Sequence, residues 1–245
     1  MKTKITYLTL LFAFLLTAVA EATTPMSAET EILKHWKAGT TVSEKTVKSY
    51  GLERCFTKHT ISDTLFKRIY GKSWKTDCTT PRSDLRYLQV LHRTDDGKTC
   101  LGEMVCHKSI ADDLLAIFRE LYDAHYPIER MVLIDNYDAD DKKSMAANNT
   151  TCFNFRHVAG SKALSNHSRG KAVDLNPLYN PYVKHLKNGR LRVDPPQANR
   201  YADRSRHFKY KIDHNDLAYK IFTKHGFTWG GNWRSLKDYQ HFEKK

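Results

Sequence analysis

The chain has 245 residues and carries 40 Lys or Arg against 27 Asp or Glu, a formal net charge of +13. That length suits one domain with at most a small extension, and the charge favours polyanionic partners. No helix-turn-helix, zinc-finger or aromatic-rich RNA-binding signature accompanies the charge, so nucleic acid is set aside as a partner.

Residues 1–22 read as a secretory signal peptide. Lys2 and Lys4 supply the positive start, Tyr7 to Val19 an apolar core, and Ala18-Val19-Ala20 or Ala20-Glu21-Ala22 the small-residue cleavage pattern. The apolar run is shorter than the ~20 residues a membrane span needs, and no cysteine follows it as a lipid anchor would require. The mature chain is therefore expected to be exported, to a periplasm or to the cell envelope and beyond. Loss of Lys2, Lys4 and Glu21 leaves 38 basic and 26 acidic residues, or +12. In such a compartment wall and envelope polymers are the natural polyanions.

Residues 23–50 read as a polar linker or docked arm with a short helical piece near Ile32 to Lys37, and residues 51–245 as the main domain. Ile61, Leu65, Phe66 and Ile69 recur at helical spacing and predict a helix over Phe56 to Tyr70. Lys72 to Pro81 is a basic, proline-ended loop. Leu85 to Leu91 predicts a strand, Thr94-Asp95-Asp96-Gly97 a hairpin turn, and Leu101 to Val105 the return strand. Ser109 is placed to cap a helix whose apolar face is Ile110, Leu114, Ile117, Phe118 and Leu121, with Asp112 completing a variant capping box. Pro127 ends that helix, and Met131 to Ile134 predicts a short buried strand. Asp135, Asp138, Asp140 and Asp141 lack the glycine of a calcium loop and read as a solvated acidic turn.

Cys55, Cys78, Cys100, Cys106 and Cys152 are five, so at least one stays unpaired within the chain, and none lies in a C-x-x-C pair. Disulfides and buried thiols both remain open.

Chemistry concentrates in two segments: Ser165-Asn166-His167-Ser168-Arg169-Gly170-Lys171-Ala172-Val173-Asp174, and Asp238-Tyr239-Gln240-His241-Phe242-Glu243 near the C-terminus. His167, Asp174 and His241 are good zinc ligands, and a catalytic zinc takes three protein ligands with one position left open. Asp238 is a further carboxylate suited to the acid/base work of a metal-dependent hydrolase. Lys171 to Leu175 predicts a strand with Ala172 and Asp174 on one face, and a final strand sets His241 and Glu243 on one face with Phe242 turned inward. His185, His207, His214 and His225 compete for the second histidine and are read as structural or surface residues. His225 ends a helix expected to be capped by Asp213 and closed by Gly226. Trp229 and Trp233 fit core packing or a cleft wall equally.

The S-x-H-x-x-G-x-A-x-D pattern followed by D-x-x-H-F resembles the zinc D-alanyl-D-alanine carboxypeptidase family. That family includes the L-alanyl-D-glutamate endopeptidases of phage lysins and shares its fold with the hedgehog signalling domain. Phe155-Arg156, Leu175 to Tyr182, Tyr201-Ala202-Asp203-Arg204 and Trp229 to Trp233 are similar to the endopeptidase-like branch, with Asn232 where that branch is expected to carry aspartate. The resemblance implies an α+β fold, with a central, mainly antiparallel sheet, packed helices and the metal on the sheet's face. It implies one zinc per chain and hydrolysis of peptidoglycan stem peptides, with Arg156 stabilising developing negative charge and Ser165 binding substrate. Carboxypeptidase and endopeptidase action both stay open. So does a hedgehog-like, zinc-containing binding module, against which the spare carboxylate of Asp238 argues.

Overall fold

The computed structural model describes residues 28–158 and 161–245. The signal-peptide reading lies outside the described residues. No helix among those described is long and apolar enough to cross a membrane.

The chain is α+β, with antiparallel pairing inside each of three sheets rather than in one central sheet. The largest is organised by a long hairpin, β3 (Leu85–Arg93) and β4 (Thr99–His107), in unbroken register from Leu85 opposite His107 to Arg93 opposite Thr99. Gly97, at φ +78°, sits where the turn needs the left-handed region, as Thr94-Asp95-Asp96-Gly97 predicts. β1 (Thr41–Val42) and β2 (Thr57–Thr60) flank the hairpin, giving the order β1-β4-β3-β2.

Helix α4 (Ala111–Asp123) lies across this sheet with Leu114, Ile117, Phe118 and Leu121 buried. Ser109 is not its cap. A short 3₁₀ turn, Lys108–Ile110, intervenes, and the Ser109 hydroxyl pairs with His107 Nδ1 at 2.8 Å, so α4 starts after Ile110 without a side-chain cap. Residues 56–70 divide as β2 and α3 (Asp63–Ile69) rather than forming one helix. The β-branched Thr57 and Thr60 favour an edge strand, and Ser62 starts the helix by accepting from Leu65 N at 3.2 Å. Met131 to Leu133 is buried without strand pairing, and Ile134–Tyr137 is a 3₁₀ turn.

Residues 28–50, read from the sequence as a linker or arm, carry α1 (Ala28–His35), β1 and α2 (Glu44–Tyr50). Leu33, Trp36, Val42 and Val47 are buried in one cluster with Leu91, Leu101 and Tyr122 of the main body. Trp36 Nε1 donates to Gly102 O at 2.9 Å. Polar residues dominate this segment's composition, but its few apolar ones fall where one face can close over β3 and β4.

The aspartate-rich stretch does not converge on a single point. Asp135 is buried and accepts from Ser73 N and Oγ, Asp138 pairs with Lys72, and Asp140 caps α5 (Asp141–Ala146). All five cysteines are free thiols.

The edge of β4 beyond β1 is covered by irregular segments that lead to the second sheet. Met131 O accepts from Glu103 N, Val105 O from Phe153 N, and Gly170 O from His107 N. That second sheet is β5 (Ala172–Asp174), β10 (His241–Glu243) and β8 (Thr228–Trp229), in the order β5-β10-β8. Helix α6 (Leu217–Lys224) packs behind it, with Phe222 stacked on Phe242 at 4.3 Å between ring centroids. Asp216, not Asp213, caps α6 by accepting from Ala218 N and Tyr219 N. The third sheet is β7 (Leu191–Asp194), β6 (Tyr182–His185) and β9 (Lys237–Asp238).

Candidate metal centre

β5 and β10 pair with His241 directly opposite Asp174 and Phe242 opposite Val173. Strand alternation therefore sends Asp174 and His241 to one face while Val173 and Phe242 fill the core. His167 reaches the same point from a 3₁₀ turn, Asn166–Arg169. Ser165 starts that turn, its Oγ accepting from His167 N at 3.3 Å. Gly170 ends it in the left-handed region at φ +64°, its N–H returning to His167 O. A Cβ on Gly170 would lie 2.7 Å from His107 N, so both conformation and space call for glycine. Thr80 Oγ1 donates to Ser168 O at 2.8 Å, which pins the turn from outside.

Among the described residues, His167, Asp174 and His241 form the one group of three whose donor atoms could hold a metal ion. His167 Nε2 lies 3.2 Å from His241 Nδ1 and 3.2 Å from Asp174 Oδ2, and His241 Nδ1 lies 3.2 Å from Asp174 Oδ1. Tetrahedral zinc with bonds of ~2.05 Å separates neighbouring ligand atoms by about 3.3 Å, which matches the histidine pair and the distance from each histidine to its nearer carboxylate oxygen. One donor atom from each of the three residues lies within 4.8 Å of the others. The tautomers fit as well. His167 Nδ1 donates to Cys152 O at 2.7 Å and His241 Nε2 to Glu243 Oε2 at 3.0 Å, which leaves Nε2 and Nδ1 facing each other with lone pairs. Two lone pairs and a carboxylate at this distance repel unless a cation lies between them. Glu243 is itself held by Asn166 Nδ2 at 2.6 Å. These outer partners orient the rings and raise their basicity, as ligand histidines require.

The three groups are nearly closed to solvent, at 4% exposure for His167, 9% for Asp174 and 5% for His241. Burial works against the Asp174 carboxylate, but the charges and hydrogen bonds of His167 and His241 hold its pKa far below the usual range. Burial also pulls His241 down, and hydrogen bonds to Asp174 and Glu243 overcome it, raising the pKa to about 10, so a metal ion would bind by taking the place of a proton on Nδ1 and using the lone pair it leaves.

Asp238 belongs to the third sheet, opposite Tyr182, so the site forms where two sheets meet. Its Oδ1 is shut off from solvent and has no hydrogen-bond partner among the described residues. Burial first, then the charge of Asp174, raises its pKa to about 6, which leaves it ionised at neutral pH but more basic than a surface aspartate. Gly230 permits this approach, since a Cβ there would stand 2.6 Å from Asp238 O.

The remaining candidates divide. Ser165 is buried beside His167 and takes part in its turn. Arg156 has its guanidinium against the Asp141 carboxylate, and its backbone N–H donates to Ser168 Oγ at 2.8 Å. Trp229 is core, donating to Tyr239 O, whereas Trp233 stands 5.1 Å from the His241 ring and walls the site. His185, His207 and His214 are exposed, and His225 pairs with Glu120. Asn232 Oδ1 pairs with His214 Nε2 at 2.7 Å.

Sequence reasoning did not assign Glu243, Asn166 or the Cys152 carbonyl to the support of the ligands. Glu243 alone carried a legible signal, two residues after His241 on the same strand face. Arg204 also gains its meaning from the fold. Its guanidinium donates to Tyr179 O, Asn180 Oδ1 and Ile212 O and lies 4.3 Å from the Tyr239 ring centre, next to Asp238.

Residues 159–244 match a family model described as D-alanyl-D-alanine carboxypeptidase. No curated protein and no solved structure matches the chain.

Proposed function

We propose, from the match of residues 159–244 to the D-alanyl-D-alanine carboxypeptidase family model, that this chain is an exported zinc peptidase acting on peptidoglycan stem peptides. The observation that carries the reading is the convergence of His167, Asp174 and His241, the two ring nitrogens 3.2 Å apart and each 3.2 Å from one oxygen of the Asp174 carboxylate, with each histidine fixed by an outer hydrogen bond.

His167 Nε2, Asp174 and His241 Nδ1 would hold the ion. When bound, zinc supplies a Lewis acid that makes water nucleophilic at neutral pH and polarises a carbonyl. Asp238 takes the proton of the attacking water and delivers it to the departing amine nitrogen. Its raised basicity suits the first task, and the proton it then carries serves the second. Arg156 would hold the negative charge developing on the carbonyl oxygen, its pairing with Asp141 fixing the side chain beforehand. Ser165 still has a hydroxyl proton to donate to substrate while its oxygen accepts from His167 N. The segments Asn176 to Tyr182 and Trp229 to Trp233 favour cleavage between L-alanine and D-glutamate over release of terminal D-alanine. Mass spectrometry of fragments from digested peptidoglycan separates the two, and free D-alanine as the sole product would reverse that order.

Asp238→Ala tests the mechanism. Zinc content and melting temperature should stay near wild type while turnover falls about 10²-fold or more, the scale of a positioned acid/base. Loss of zinc along with activity would instead make Asp238 a fourth ligand in a closed, structural site. Retained turnover with retained zinc would place the base elsewhere.

A further inference from the structure

Between ligand Asp174 and helix α6 the chain inserts a segment whose charge is far out of proportion to its length. Residues 184–211 hold nine Lys or Arg and two Asp, a net +7 out of the chain's +13. Ion pairing inside the fold uses part of this: Arg192 pairs with Asp194, Lys209 with Asp95 and Lys211 with Asp213. Lys184, Lys187, Arg190, Arg200 and Arg206 are exposed and form no ion pair among the described residues. The β6–β7 hairpin even sets Lys184 directly opposite Arg192. Like charges in that position do nothing to help strand pairing, and with Arg192 turned to Asp194 the Lys184 ammonium is left without an ion-pair partner among the described residues.

The hairpin's position gives this charge a role. β6 also pairs with β9, Tyr182 lying opposite Asp238, so the basic hairpin is continuous with the strand that carries the proposed acid/base. The site itself is lined by Asp174, Asp238 and Glu243 and by itself repels an anionic chain. A field of unpaired cations beside it offsets that repulsion and concentrates a carboxylate-bearing polymer near the reacting groups.

We infer that the β6–β7 hairpin and the segment after it, through Arg206, form a docking surface for the carboxylates of polymeric peptidoglycan. The inference rests on the peptidase reading for the identity of the polymer, and on the charge distribution alone for the surface. Docking through this surface is electrostatic, acts on the polymer more than on a short soluble peptide, and weakens as salt screens it.

The test uses the full-length protein with Lys184→Glu, Lys187→Glu and Arg190→Glu combined, all on or next to the hairpin turn and away from the metal ligands. Retention on purified, insoluble peptidoglycan should fall at least about 10-fold at low salt. The difference from wild type should close near 1 M salt, where the screening length is ~3 Å. Hydrolysis of a soluble stem peptide should not change, and the melting temperature should not fall, since Lys184→Glu removes the like-charge pair with Arg192. If the triple variant fails to fold, Lys187→Glu alone should shift retention in the same direction by a smaller factor. Equal retention of wild type and variant at low salt would overturn the proposal, as would wild-type binding to double-stranded DNA that is tighter than to peptidoglycan at the same salt. A wild-type protein that is retained in this charge-dependent way but cleaves no wall peptide would remove the peptidase reading and leave the docking surface standing.

Discussion

His167 and His241 present opposite ring nitrogens to the same point, and the choice is made by what each ring's other nitrogen finds: a backbone carbonyl for His167, a carboxylate for His241. Protein purified without added metal should contain one zinc per chain by elemental analysis, and His167→Ala or His241→Ala should remove it. Glu243→Gln should keep the fold but weaken zinc affinity about 10–100-fold, the usual cost of losing an outer carboxylate, measured by competition with a chelating dye. Asp216 gives an independent test of the electrostatics away from the metal. Burial raises its pKa from 3.8 to about 6, so between those values the folded state holds a proton that the unfolded chain has released. Its contribution to stability therefore falls as pH rises from 4 to 6. Asp216→Asn keeps an oxygen for capping α6 and for Tyr126, and should stabilise the protein by about 1–2 kcal/mol at pH 7.5 with little change at pH 4. Urea unfolding at the two pH values reads the difference.

At the scale of elements, strong local patterns formed as expected and weaker ones yielded to their neighbours. The β3–β4 hairpin combines alternating burial with a turn that needs Gly97, so local and tertiary preferences agree. The helix expected over Phe56 to Tyr70 lost its first half because β3 offered an edge that Thr57 to Thr60 could pair with. Met131 to Ile134 is apolar enough for a strand, yet only isolated backbone bonds reach it, and its side chains serve as core filling. The turn that carries His167 is the most constrained element. Gly170→Ala places a methyl against the His107 backbone in a conformation that L-residues avoid, and should cost about 2–3 kcal/mol of stability. Zinc affinity should fall with it, because the same turn aims Nε2. Thermal melting with and without added zinc checks both effects.

Across the whole molecule the candidate metal centre sits at a junction. The second sheet supplies Asp174 and His241, the third supplies Asp238, and the 3₁₀ turn of His167 is tied to the first through His107 and to the loop before β3 through Thr80. Arg204 holds the third sheet's approach by joining Asn180 and Ile212 to the ring of Tyr239. Residues 28–50 close the far side of the first sheet. Trp36→Ala there should destabilise the protein by about 3–5 kcal/mol in urea unfolding, while zinc affinity of the folded protein stays at wild type. A smaller loss would mean that the segment lies loosely on the body.

By itself the sequence marked out the candidate residues His167, Asp174, Asp238 and His241 and determined the main hairpin, because the hairpin turn and each of the two site segments carry their own short-range spacing. A glycine three residues after His167 and a strand that alternates around Asp174 are local constraints, legible without knowing any partner. The tertiary structure alone decided what lies across from those residues. Asp141 as the companion of Arg156, Asn166 as the anchor of Glu243 and the Cys152 carbonyl as the seat of His167 are joined across long stretches of chain, where no periodicity points from one to the other. The same holds for the division into three sheets and for the docking of residues 28–50. Backbone groups that one sheet cannot pair must find partners elsewhere, and only the packed chain shows which segments supply them.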